Sequence, residues 1–150
     1  MTIKGFEVMD ATVMEIGKFS ILWNCFERDW CDNNCNPAKI KSIVDWLHID
    51  QEKQACLASV LNERRLWFEQ LEIDYVRDSL HPGNARASTE EDMQVMRRFL
   101  AQEGDELTCG CLLVIYRIRN NLMHGLKLIK ELDGQIVLFR AANDVLESIR

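Results

Sequence analysis

Two prolines and seven glycines in 150 residues leave the chain with little punctuation. So few turn signals favour a handful of long helices over many short strands. No apolar run approaches the roughly 18 residues that would span a bilayer, so no membrane partner is expected. The first ten residues lack a basic segment followed by a long apolar one. No secretory leader is therefore read there, and the expected location is cytoplasmic. Positive charge is also short, with a formal net charge of −6. That argues against a generic electrostatic nucleic-acid binder but leaves room for a local cationic face.

Cysteine, by contrast, is plentiful: Cys25, Cys31, Cys35, Cys56, Cys109 and Cys111. In a reducing compartment these are expected to be thiols, several of them in the core, rather than a disulfide framework. Cys31-x3-Cys35, with Cys25 nearby, and Cys109-Gly-Cys111 match no paired CxxC array and have no neighbouring His. Neither a metal nor any other cofactor is expected. A hydrophobic share of 47% is enough for a real core. One domain over residues 1–150 is the default at this length, burying roughly 70% of the surface of the unfolded chain.

Apolar periodicity places the elements. A first helix is expected from Phe6 to about Trp30, with Met9, Val13, Ile16, Phe19, Trp23, Phe26 and Trp30 inward. Asn36 caps a short helix that opens on Pro37 and runs to about Leu47. Asp50 caps a longer one, about Gln51 to Leu80, which His81-Pro82-Gly83-Asn84 stops. Ser88 or Thr89 opens a fourth, Ser88 with Glu91 matching a capping box. The longest uninterrupted run is expected from Leu107 to about Leu132. A last helix covers Ile136 to Ile149; Ile136–Phe139 could be a strand, but nothing else in the chain would pair with it. The four Trp are read as core or dimer-interface residues. The fold class is all-α, a bundle of five or six helices.

The run Leu107–Leu132 has a polar centre unlike the rest of the chain. Arg117, Arg119, Asn120, Asn121 and His124 crowd two turns, and no Asp or Glu occurs between Leu107 and Lys130. A helix that needed only solubility would mix charge signs. Guanidinium, amide and imidazole groups without carboxylates suit an anion, and a phosphate most of all.

Arg119-Asn120-Asn121-Leu122-Met123-His124 has the form R-N-x-x-x-H. It resembles the R-x4–6-H signature of the HEPN family, small all-α domains frequent in prokaryotic toxin–antitoxin and phage-defence systems. The motif lies late in a chain of typical length, on a long helix, with a polar residue directly after the Arg. The resemblance implies a metal-independent ribonuclease working as a homodimer, with the motifs of two subunits facing across a cleft. RNA would be the substrate and an antitoxin protein a possible partner. Arg119 and His124 would be the catalytic pair, and Asn120 the polar residue supporting them. Arg117, Asn121 and Lys127 are candidates for holding RNA phosphates. Members paired with a nucleotidyltransferase antitoxin often carry a Tyr two residues after the His; here Gly125-Leu126 follows His124.

The chemistry can be argued without the family. Attack by the RNA 2′-hydroxyl needs a base, an acid for the leaving 5′-oxygen, and positive charge on the phosphorane. The unperturbed pKa of His, about 6.5, suits both proton roles, and Arg stabilises spreading phosphate charge. On an ideal helix Arg119 and His124 are about 140° apart, while Arg117 is about 20° and Asn120 about 40° from His124. Arg119 is preferred because Asn120 follows it, with Arg117 kept as an alternative. The competing reading is a non-catalytic helical module that dimerises or binds a nucleotide or protein through the same cleft, since one fold serves both.

Overall fold

The structure, a computed structural model, describes residues 1–67, 89–123 and 129–150. Its elements are a small hairpin, β1 (Thr2–Ile3) and β2 (Phe6–Glu7), followed by α1 (Asp10–Trp30), α2 (Pro37–Ile43), α3 (Gln51–Trp67), α4 (Glu90–Leu100), α5 (Leu107–Met123) and α6 (Ile136–Ser148). Single stretches of 3-10 helix cover Val44–Trp46 and Ile129–Gln135. The all-α expectation stands, with six α-helices among the described residues.

The first helix starts later than its apolar pattern suggests. Lys4 and Gly5 both take positive φ, 53° and 84°, which turns the chain in a two-residue hairpin and pairs Ile3 with Phe6 and Thr2 with Glu7. Phe6 and Met9 are consequently surface residues, not part of the helical stripe. No side chain of α1's own leading residue caps it. Asp133, distant in sequence, does so instead: its Oδ1 accepts from the Met9 N–H at 3.0 Å and the Thr12 hydroxyl at 2.7 Å. A carboxylate there also meets the positive end of the helix dipole.

Local capping chemistry explains the next starts. Asn36 Oδ1 accepts from the Lys39 N–H at 2.8 Å, with Pro37 in the first turn of α2. Asp50 Oδ1 accepts from the Glu52 N–H at 2.9 Å at the head of α3. In α4 the capping box is Thr89 with Asp92, one residue later than the expected Ser88 with Glu91; Ser88 lies outside the described residues. Thr89 Oγ1 accepts from the Asp92 N–H and Asp92 Oδ2 from the Thr89 N–H, at 3.1 and 3.0 Å. The later register also brings the Asp92 carboxylate, 1% exposed, to 2.9 Å from Lys41 Nζ on α2.

Helix α5 is the inner helix of the bundle. Every residue from Cys109 to Ile118 is buried, and α4, α2 and α3 pack on it. A β-carbon on Gly110 would lie 2.5 Å from Phe99 Cβ and 2.7 Å from the Val95 carbonyl oxygen, so α4 and α5 approach closely only because Gly110 has no side chain. On the other side α1 and α6 pack together, with Phe19 and Phe139 edge to face at 5.3 Å. Trp23 of α1 links the two halves through Tyr116 of α5, ring centroids 6.2 Å apart. The C-terminus closes the bundle by backbone pairing of Arg150 with His48.

The expected single helix Leu107–Leu132 is α-helical over Leu107–Met123, and its far end, from Ile129, is 3-10 helix. Leu126, and the expected extension of α3 through Phe68, Leu71 and Tyr75 with its stop at 81–84, lie outside the described residues. Ile136–Phe139 is helical. Trp23 is core and Trp30 packs on it; Trp46 is 80% exposed. No described helix is long and apolar enough to cross a membrane.

Candidate functional site

The last turns of α5 carry the polar group. Arg117 and Asn120 share one side of the helix and are 1% and 2% exposed. Arg119 is half-buried and donates from Nη1 to Asn120 Oδ1 at 3.1 Å. The amide next in sequence therefore holds the guanidinium against the helix that bears it. Asn120, at 2% exposure, is itself held by packing, so the bond has a fixed anchor.

His124 and Lys127 lie outside the described residues, as does the Asn121 side chain. The structure thus brings Arg119 together with Asn120 and places Arg117 in the interior beside Tyr116 and Ile118. Carrying Arg117 inside is a cost that sequence alone did not reveal: a buried guanidinium must exchange water for protein partners.

Sequence reasoning did not associate the motif with the turn between α1 and α2, yet that turn is its neighbour. Cys35 lies within the electrostatic reach of Arg119. Hydrogen bonding with Cys35 holds the Cys31 thiol below the ordinary cysteine value, against the opposing effect of burial. The same bond, then burial, pushes Cys35 far up. The other two buried thiols behave differently: burial alone raises Cys111, and burial reinforced by Glu106 and Asp92 raises Cys109 to about 11. Nothing in the spacing Cys31-x3-Cys35 points to Arg119; only the packing of α2 on α5 brings them together.

Arg64, Arg97 and Arg98 have partners within the chain. Arg64 donates to the Gly134 carbonyl at 3.1 Å and to Gln135 Oε1 at 2.7 Å. Arg97 and Arg98 face Glu90 and Glu106 at 3.4 and 3.2 Å. An open cavity of about 480 Å³ lies between the heads of α3 and α5, lined by Gln51, Gln54, Gly104, Asp105 and Thr108. It is at the opposite end of α5 from Arg119, roughly 15 Å along the axis. Among the described residues no three His, Cys, Asp or Glu side chains cluster closely enough to hold a metal ion.

Comparison of the chain with protein-family models, with curated proteins and with solved structures finds no match.

Proposed function

We propose that the chain is an HEPN-type endoribonuclease, a toxin or phage-defence effector that cuts RNA without a metal in the cleft of a homodimer. The observation that carries this reading is the hydrogen bond from Arg119 to the buried Asn120, at the end of α5 just before the stretch holding His124. It gives the second residue of R-N-x-x-x-H a physical role, which is to orient the arginine.

In this reading His124 takes the proton from the RNA 2′-hydroxyl, whose oxygen attacks the adjacent phosphorus. Arg119 offers its N–H fork to the charge that builds on the phosphorane. The second subunit's copy of the same histidine returns a proton to the departing 5′-oxygen, and two-fold symmetry supplies that second group without a second motif. Asn121 and Lys127 hold flanking phosphates. Arg117, from inside the helix packing, adds positive potential rather than a contact. The products are a 2′,3′-cyclic phosphate and a 5′-hydroxyl. An antitoxin would be a protein that covers this cleft.

The burial of Arg117 and Asn120 also favours a second reading, a helical dimerisation or binding module in which the polar group only specifies packing. One experiment separates them. Purified chain is incubated with total RNA in chelator, and the ends of any fragments are identified. The ribonuclease reading expects cyclic-phosphate ends in chelator and no cleavage by His124→Ala. Activity that needs Mg²⁺, or cleavage undiminished in His124→Ala, sinks it. Wild-type protein that cuts no RNA at high concentration and does not slow host growth on expression leaves the second reading.

A further inference from the structure

One side of α1 is exposed from its first turn to its last. Asp10, Met14, Gly17, Ile21 and Arg28 all lie on the surface. At about 100° per residue they fall within about 60° of one another around the helix. Met14 and Ile21 are 74% and 65% exposed, while the opposite side of the same helix buries Phe19, Trp23 and Phe26. A β-carbon on Gly17 would meet nothing within 4 Å. The strip therefore has a shallow seat between two large apolar side chains, with a carboxylate at one end and a guanidinium at the other. Single exposed apolar residues are ordinary on a protein surface. Here they are arranged about a centre.

That centre is the level of Phe19. Asp10 and Arg28 are separated by about five full turns, so they project in one direction from opposite ends of the strip. Consider two copies of α1 laid antiparallel and aligned at Phe19. Asp10 of one copy then lies level with Arg28 of the other, and Gly17 lies level with Ile21. Each pairing occurs twice, as a two-fold axis requires. The carboxylate end of each helix meets the guanidinium end of its mate, and each Ile21 is offered the open space over a Gly17. A parallel pair would instead set Asp10 against Asp10 and Arg28 against Arg28.

We propose that this strip is a self-pairing surface, on which a second copy of the chain packs its own α1 antiparallel about a two-fold axis level with Phe19. The charges are free to regroup. Asp10 meets the Met1 ammonium at 3.4 Å, and Arg28 meets the adjacent Asp29 at 2.9 Å. In both pairs the side chains are more than half exposed, and such surface pairs hold little energy, so they exchange partners readily. No residue of the strip belongs to R-N-x-x-x-H, so the inference goes beyond the ribonuclease reading and stands independently of it. One helix face is small beside the roughly 800 Å² that each partner of a standard interface buries. The pairing is accordingly weak and concentration-dependent.

The test measures the mass of the full chain by sedimentation equilibrium across a concentration series into the high micromolar range. Wild type should rise above the mass of one chain. Ile21→Glu and Gly17→Leu should each lower the mass reached. Gly17→Leu is the sharper of the two, because it adds apolar surface and improves helix propensity yet fills the seat that Ile21 needs; a merely sticky patch would associate more. Asp10→Arg and Arg28→Asp should each weaken pairing by setting like charges opposite one another. An equimolar mixture of those two variants should pair again, since each supplies the charge that the other lacks. All these positions are exposed, and thermal unfolding of each variant checks that the fold is kept. Wild type that stays at one chain throughout overturns the inference. So does association that the variants leave unchanged, which would lie on another face, or a loss in the two charge variants that mixing does not recover.

Discussion

The first half of α5 and the positions of Arg117 and Asn120 further along it are buried alike but meet different surroundings. From Cys109 to Ile115 the helix is apolar on every side, and at Gly110 the backbone of α4 comes within what a methyl would occupy. From Arg117 to Asn120 equally deep positions hold a guanidinium and an amide. Burial therefore does not separate scaffold from site in this helix. The chemistry of what is buried does. Apolar packing is satisfied by shape, whereas a buried polar group is stable only with partners and marks where the chain has accepted a cost.

Four expected outcomes would break or sharpen that contrast. The largest belongs to the polar end: His124→Ala should lower the rate of RNA cleavage by about 10²–10⁴-fold, and Arg119→Ala should be severe as well. Arg119→Lys should recover little, because a point charge lacks the planar fork. Thermal unfolding of each should stay near wild type. A collapse in stability as large as the loss of rate would mean that the polar end is scaffold too.

Gly110→Ala should do the reverse, costing about 3 kcal/mol of stability through overpacking against Phe99 and Val95. Denaturant midpoints would show it. A near-neutral result would mean that α4 is free to move away from α5.

The third outcome is alkaline. Folded Cys109 ionises at about 11, against 9.0 for the ordinary thiol, and Cys111 is also raised. A raised folded value means that the unfolded chain releases its protons first. The associated stability is present below pH 9 and falls as pH rises toward 11, by about 2 kcal/mol for Cys109. Cys109→Ala should flatten that decline in a pH series of unfolding curves; an unchanged slope would reject the assignment.

The smallest concerns the distant cap. Asp133→Ala should cost about 1 kcal/mol, the usual worth of an N-cap, and Asp133→Asn should recover most of it because the amide oxygen still accepts from Met9 and Thr12. Amide exchange in the first turn of α1 would report the loss, and protection unchanged in Asp133→Ala would remove the cap's role.

What the sequence by itself determined is whatever depends on near neighbours along the chain. Helical periods place Phe19, Trp23 and Phe26 inside, as they do Met96, Phe99, Leu138 and Val145. Asn36 and Asp50 open their helices because a side-chain oxygen can reach an N–H two or three residues on. The support of Arg119 by Asn120 entered only through the family resemblance, and the hydrogen bond between them is what the structure adds. Tertiary structure alone decided the rest. The hairpin displaced the expected start of α1 because Lys4 and Gly5 could adopt positive φ and residues Thr2 to Glu7 could pair. Asp133 caps a helix more than a hundred residues away. Arg117 went inside, where its charge would have suggested solvent, and Cys35 came to lie within reach of Arg119 only when α2 packed on α5. Periodicity and capping are local, so a chain displays them as it is read; which groups meet across helices depends on how whole faces fit, and no spacing encodes that.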